Sequence, residues 1–296
     1  MKFAAIDIGS NAIRLLFTTV YNTDKEPVFK KIALYRFPLR LGTEVFSSGS
    51  ISAAGIESLT LALCGFKKLI EAHRVIAYRV CATSAMREAK NSEEVIAVVQ
   101  KKCGLTIEII DGNEEAKIIY KNQIKSLLTT DATVLYVDVG GGSTELTIFA
   151  DNKPQDSVSF NIGTVRLLEK KVDKTTWDEA KNWVKNSTKT HKPEYIIGSG
   201  GNINKLYKLA ITKKKKEFSI SKTQLNLIAK KLKKLTYEER ITKLGLNPDR
   251  ADVIVPAAEV FLSILDWSSC SKVIVPKIGL ADGIIKELYE KEKNAT

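Results

Sequence analysis

The sequence predicts an α/β protein of two related domains around an interdomain cleft, and three observations predict it. The first is a strand, a glycine turn and a second strand at Tyr136-Val-Asp-Val-Gly-Gly-Gly-Ser-Thr-Glu-Leu-Thr-Ile-Phe149, where one apolar run ends in Asp138 and another resumes at Leu146. The second is a repeat of that pattern at Ala5-Ile-Asp-Ile-Gly-Ser-Asn-Ala-Ile-Arg-Leu-Leu-Phe17, roughly 130 residues earlier, with Asp7 matching Asp138 and Gly9 matching Gly140. The third is size: 296 residues with 44% hydrophobic content supply two cores of similar extent.

Glycines at such a turn let the backbone bend sharply and approach a ligand, and their N–H groups form a concave nest for an oxyanion. Phosphate is the expected ligand. With the two turns facing one cleft, Asp7 and Asp138 stand on opposite walls, where hydrated Mg²⁺ fits between carboxylates and phosphate.

Composition narrows the classes. No apolar stretch is long enough to span a bilayer, and Met1-Lys2 runs straight into a patterned strand, unlike a signal peptide. Cys64, Cys81, Cys103 and Cys270 lack CxxC spacing and read as reduced core residues, which predicts a cytoplasmic protein. His73 and His191 have no partner at metal-ligand spacing, so a zinc site or Ser-His-Asp triad is not expected, and His73 reads as a helix C-terminal cap. The formal net charge of +12 implies a polyanionic partner.

After the first hairpin, Val28 to Arg36 reads as a strand and Arg40 to Glu44 as a loop. Ser52 caps an amphipathic helix through Ile56, Leu59, Leu63, Phe66 and Ile70. Val75 to Cys81 is strand-like and leads to Ala82-Thr-Ser-Ala-Met-Arg87, a strand-to-helix junction suited to an anion; Arg87 reads equally as a surface helix residue. Ser92 caps the next helix, Gly104 ends it, and Leu105 to Ile110 forms another strand. Asp111-Gly-Asn-Glu-Glu115 then opens a helix to about Leu127. Glu114 and Glu115 either offset its dipole or keep a carboxylate ready to accept a proton from water. The domain boundary falls in or just after this helix, giving domains 1–124 and 125–296, with the C-terminal helix 281–296 packing back on the first.

In the second domain a strand at about Asp156 to Phe160 precedes a helix starting at Gly163-Thr-Val-Arg-Leu167. Thr176 and Glu179 form a capping-box pattern for the helix carrying Trp177 and Trp183. Tyr195-Ile-Ile-Gly-Ser-Gly-Gly201 is a third glycine-rich element, leading into a helix from about Asn202. Lys213 to Lys216 reads as a solvated loop. Ser221 and Gln224 cap a helix with Leu225, Ile228, Leu232 and Leu235 inward and Lys230, Lys231, Lys233 and Lys234 outward; no aromatics interleave these lysines, which argues against a nucleic-acid platform. Asn247 to Asp252 begins a helix that Pro256 kinks, Lys272 to Val275 is a late strand, and a short charged helix starts near Leu280.

Taken in order, Asp7-Ile-Gly-Ser-Asn11, Ala82-Thr-Ser-Ala-Met-Arg-Glu-Ala-Lys-Asn91, Gly112-Asn-Glu-Glu-Ala116, Asp138-Val-Gly-Gly-Gly-Ser-Thr-Glu-Leu146, Gly198-Ser-Gly-Gly201 and Arg250-Ala-Asp252 resemble the exopolyphosphatase / guanosine pentaphosphate phosphohydrolase family over nearly the whole chain. The resemblance implies two ribonuclease-H-like domains of the actin/sugar-kinase/Hsp70 superfamily. It implies an Mg²⁺-dependent hydrolase of polyphosphate or guanosine pentaphosphate (pppGpp). By it Glu115 activates water, Asp7 and Asp138 surround Mg²⁺, and Ser10, Asn11, Arg87, Gly141, Gly142, Ser143 and Thr144 contact phosphate.

Two departures stand out: Asp111 adds a charge where Ser is common in the family, and Ala281 replaces the arginine of a Gly-Leu-Arg motif. Longer members continue into extra helical domains, so this form is expected to be less processive. No nucleic acid or membrane partner is expected, and the C-terminal helix leaves room for a homodimer. The rival readings are an ATP-dependent phosphotransferase of the same superfamily and a polyphosphate or alarmone sensor without turnover.

Overall fold

The computed structural model describes residues 1–119, 132–151, 153–211, 218–276 and 278–295, apart from the side chain of residue 113. It divides into two units, Met1–Ile124 with Gly279–Thr296, and Lys125–Ile278.

The first unit opens with β1 (Lys2–Ile8), β2 (Ala12–Tyr21) and β3 (Val28–Pro38), an antiparallel meander. It continues through α1 (Leu41–Ser48), α2 (Ala53–His73), β4 (Ala77–Ala82), α3 (Ser84–Glu88), α4 (Ser92–Cys103), β5 (Glu108–Ile109) and α5 (Gly112–Ile119). The sheet order is β3-β2-β1-β4-β5, with β4 parallel to β1 and β5 parallel to β4. β1 is central and covered on both faces, which is why Phe3, Ala4, Ala5 and Ile6 are all buried instead of alternating with polar residues. Ser52 caps α2, its hydroxyl accepting from Gly55 N at 3.1 Å.

Several expectations change here. Arg40 to Glu44 is mostly helix: α1 starts at Leu41, behind Arg40 in the left-handed region at φ 55°. α4 is preceded by Asn91 as its N-cap residue, with Ser92 inside the helix; the Asn91 amide bonds Ile51 N and O instead of the helix. The residue ending α2 is His73, but Arg74 takes the C-cap, and the His73 ring stacks on Phe17 at 4.1 Å. The strand read at Leu105 to Ile110 shortens to Glu108–Ile109. The cysteines are not all reduced. Cys64 on α2 and Cys103 at the end of α4 form a disulfide, because the two helices pack side by side, while Cys81 and Cys270 are free and buried. The cysteine pattern therefore carries no argument about compartment.

The second unit repeats the scheme with β6 (Val134–Val139), β7 (Thr144–Ala150), β8 (Lys153–Phe160), α6 (Thr164–Leu168), α7 (Lys174–His191), β9 (Tyr195–Ser199), α8 (Gly201–Ala210), β10 (Ser219–Ser221), α9 (Lys222–Lys234), α10 (Tyr237–Leu244), α11 (Pro248–Ala251), α12 (Ile254–Ser268) and β11 (Lys272–Ile274). Its order is β10-β11-β9-β6-β7-β8, again a three-strand antiparallel meander joined to parallel strands. Leu135, Val137, Ile196 and Phe261 anchor its core. Two capping boxes, Ser221 with Gln224 and Thr236 with Glu239, start α9 and α10.

α7 is capped by Asp173, which accepts from Thr176 N, and not by Thr176, since helical geometry already begins at Lys174. Pro256 does not kink a continuous helix. The chain breaks between α11 and α12, and Pro256 lies in the first turn of α12, where its missing N–H costs no helical bond. Lys213 to Lys216, and the end read for the helix at Leu127, lie outside the described residues.

α13 (Leu280–Ala295) belongs to the first unit, where Tyr289 meets Phe3 and Phe29 edge to face. Lys31 and the Gly279 amide both reach the Asp282 carboxylate and fix the start of this helix. Among the described residues no helix is long and apolar enough to cross a membrane.

Candidate functional site

The first unit gathers its predicted residues where β1, β4 and β5 end. Asp7 is in register with Arg14 across β1 and β2, so both side chains share a face, and Arg14 Nη1 donates to Asp7 Oδ2 at 3.0 Å. Burial pushes the Asp7 carboxyl above the usual carboxylate range, while the charge and hydrogen bond of Arg14 pull it down. Gly9 N donates to Ala12 O at 3.2 Å and closes the turn. Ser10 is buried and its carbonyl accepts from Gly42 N, while the Asn11 carbonyl accepts from Arg40 N. The helix α1 thus props the turn from below. A Cβ on Gly42 would lie 2.6 Å from Phe46 Cε2 and 3.0 Å from Ser10 Cβ, so a larger residue there would have to push the Phe46 ring and the turn aside.

Thr83 N donates to Ile8 O, which seats the β4–α3 junction beside the same turn. Arg87 is half-buried and its Nη1 donates to Ile110 O at 2.7 Å, one residue before α5 is capped. Asp111 supplies that cap: its Oδ1 accepts from Glu114 N at 2.8 Å. The departure at Asp111 therefore has a structural role at the helix start. Glu114 and Glu115, adjacent in sequence, differ in place. Glu114 Oε1 pairs with Arg79 at 2.9 Å in a cluster that also holds Glu108 and Glu287. Glu115 follows on the first turn, half-buried, its amide bonded to Asp111 O. Ala281, at the second departure, is buried in the first turn of α13.

In the second unit Gly140 N donates to Ser143 O at 2.9 Å, the counterpart of the Gly9–Ala12 bond. The three glycine carbonyls are all occupied. Gly140 O accepts from Thr164 N, Gly141 O from Val165 N, and Gly142 O from Arg166 Nε at 2.6 Å. In a trans peptide the C=O and the following N–H point opposite ways. With the carbonyls turned to the start of α6, the amides of Gly141, Gly142 and Ser143 point away from it, as a concave anion nest requires. The hydroxyls expected at phosphate face inward here: Ser143 Oγ donates to Glu145 Oε1 and Thr144 Oγ1 to Ile162 O. What this turn offers an anion is backbone.

Asp138 accepts from Tyr136 OH at 3.3 Å and stands in register with Ser199 on β9. Gly200 has φ +93°, and a Cβ there would lie 2.9 Å from Asp138 Oδ1. This position needs glycine on both counts. Arg250 Nη1 donates to Gly201 O at 2.7 Å and ties α11 to the start of α8.

The Ppx/GppA phosphatase family model matches residues 19–292. The chain belongs to this family. A bifunctional 3-dehydroquinate synthase/phosphatase of Fusobacterium nucleatum is 28% identical over 98% of the chain, which spans only 47% of that protein. Exopolyphosphatase 1 of Mycobacterium tuberculosis is 22% identical over the full chain and 90% of its own length. Among solved structures, the Aquifex aeolicus Ppx/GppA family member is similar at TM-score 0.76 and 28% identity, covering 98% of each chain. An exopolyphosphatase from Cytophaga hutchinsonii shares the fold at TM-score 0.85 and 24% identity, also over 98% of each chain. Both units accordingly carry the mixed α/β sheets of the Ppx/GppA fold.

Within this Ppx/GppA chain, three residues outside the predicted site also shape the turn: Glu145, Gly163 and Arg166. Glu145 is buried, in register with Asp138, and accepts from both Ser143 and Ser159. Its signal was a carboxylate inside an apolar strand one residue past the turn. Gly163 and Arg166 left no local signal, because their partners are carbonyls more than twenty residues earlier. No group of three or more His, Cys, Asp or Glu among the described residues encloses a point that would hold a metal. Mg²⁺ needs less, because one or two carboxylates with water and substrate oxygens suffice. Asp7 and Asp138 are donors of that kind, and a buried carboxyl raised like that of Asp7 is one a divalent cation would hold ionised.

Proposed function

We propose that this protein removes the terminal phosphate from inorganic polyphosphate or guanosine pentaphosphate by direct attack of water. The observation that carries the reading is the Gly140–Ser143 turn, whose carbonyls are consumed by α6 and Arg166 so that its amides are left for an anion. Family membership and the similarity to Exopolyphosphatase 1 support the reaction class.

The amides of Gly141, Gly142 and Ser143 bind the oxygens of the phosphoryl group, and the first turn at Ser10 and Asn11 with Arg87 adds further donors. Glu115 accepts a proton from the attacking water as its oxygen bonds to phosphorus. The anhydride P–O bond breaks, and the remaining chain leaves with that electron pair. Asp7 and Asp138 would hold Mg²⁺, which when bound neutralises phosphate charge.

Glu115→Gln should abolish phosphate release and keep ligand binding; wild-type turnover in that variant would refute the assignment. Release of phosphate with no sugar or acid acceptor present separates hydrolysis from phosphotransfer. Turnover of short and long polyphosphate, guanosine pentaphosphate and ATP, compared side by side, decides the substrate.

A further inference from the structure

We propose that the last turn of α9 is an accessory strip that binds the distal part of a linear polyphosphate, outside the hydrolytic site. This rests on the hydrolase reading for its choice of ligand. Helix α9 buries Leu225, Ile228, Ala229 and Leu232, which leaves Lys230, Lys231, Lys233 and Lys234 exposed. Lys233 pairs with Glu259 at 2.8 Å. Among the described residues Lys230, Lys231 and Lys234 have no ion-pair partner.

The arrangement is unfavourable for a helix alone. Lys230 and Lys234 are four apart, and Lys231 and Lys234 three apart, so like charges are neighbours on one face. A cation or two would complement the helix dipole at this end. A contiguous strip goes beyond that need and matches a ligand with one negative charge per repeating unit.

Within the second unit, its position suits a substrate that extends from the sheet end that carries Asp138. Arg240 bridges the end of α9 to α11, its Nε donating to Leu232 O at 2.9 Å and its Nη1 to Ala251 O at 3.0 Å. The next guanidinium, Arg250, bonds Gly201 O, beside the Gly200 that abuts Asp138. Two arginine bridges therefore connect the lysine turn to the end of the sheet where Asp138 lies. The strip carries no aromatic side chain on which bases could stack, which favours polyphosphate over single-stranded nucleic acid.

The test compares Lys230→Gln/Lys231→Gln/Lys234→Gln with a charge-matched control, Lys174→Gln/Lys185→Gln/Lys189→Gln on α7. Both are made in the Glu115→Gln protein so that the ligand is not consumed. Equilibrium binding of long-chain polyphosphate and of tripolyphosphate is measured across a salt series. The α9 variant should bind the long chain about tenfold more weakly, with the salt slope reduced by roughly 2. Its tripolyphosphate affinity, and both affinities of the control, should stay within about twofold.

Equal losses in the two triple variants, or an unchanged long-chain affinity, would overturn the strip. So would equal binding and equal loss for a single-stranded oligonucleotide of matched charge, which would assign the surface to nucleic acid. Absence of phosphate release by the wild-type protein bears on the hydrolase reading alone, because this readout involves no turnover.

Discussion

Gly163→Ala isolates the contact that orients the glycine turn. Gly163 has φ −120° and ψ 160°, a conformation open to any residue, so the demand for glycine here is purely steric. An added Cβ would lie 2.2 Å from Gly141 O and 2.3 Å from Gly142 C. Both are backbone atoms, and no rotamer change relieves them. Overpacking of this kind costs about 1–3 kcal/mol. Relief means moving α6 off the turn, which strains the bonds to Gly140 O and Gly141 O at about 1 kcal/mol each. The sum is about 3–5 kcal/mol, a drop of roughly 2 M in urea midpoint at a slope near 2 kcal/mol/M. Trp177, Trp183 and Trp267 all lie in the second unit, so tryptophan fluorescence reports on it selectively. Phosphate release should fall along with the midpoint. A midpoint within about 0.3 M of wild type, with phosphate release intact, would refute the argument.

Arg79→Met should lower kcat more than it changes KM, because it frees the Glu114 end of α5, and should cost about 1–3 kcal/mol of first-unit stability by circular dichroism; an unchanged kcat would remove Arg79 as a positioning residue. Cys103→Ser opens a covalent loop between residues 39 apart and should destabilise the first unit by about 2–4 kcal/mol. Mass spectrometry after non-reducing alkylation of unfolded protein should find two modified cysteines, Cys81 and Cys270; four would disprove the disulfide. Burial pushes the Cys81 thiol up to about 12, partly opposed by Arg79, so native Cys81 should resist alkylation at pH 8. The unfolded thiol ionises near 9 and the folded one near 12, so its contribution to stability is full below 9 and lost as pH rises towards 12. Cys81→Ala should flatten that alkaline decline, and an identical pH profile in the variant would contradict it.

Much of this molecule is readable locally. Asp7 and Asp138 mark the ends of their strands because the continuous apolar run is broken there, and the glycines mark the turns. Ser52 and the Ser221–Gln224 box announce their helices by side chain-to-backbone bonds that span three residues. Apart from the α7 cap, which is Asp173 three residues before Thr176, what failed needed partners distant in sequence. Arg40 to Glu44 reads as a loop because Gly42 and Thr43 are weak helix formers, yet Gly42 is there to lie against Ser10. Cys64 and Cys103 became partners only when α2 and α4 packed together. The inward-facing hydroxyls of Ser143 and Thr144, and the hold of Arg166 on Gly142 O, depend on strands and helices joined across the sheet. Local chemistry located the turn, and tertiary contacts decided which of its atoms are available.

The return of α13 to the first unit has a consequence for biosynthesis. Ile284, Ile285 and Tyr289 fill a core whose other members precede the second unit in the chain. The amino-terminal half must therefore wait, with Phe3 and Phe29 lacking their aromatic partner, while the middle of the chain emerges from the ribosome and can complete its own core first. A nascent chain arrested before residue 280 would leave that surface open to chaperones, so the first unit closes only once α13 has been made.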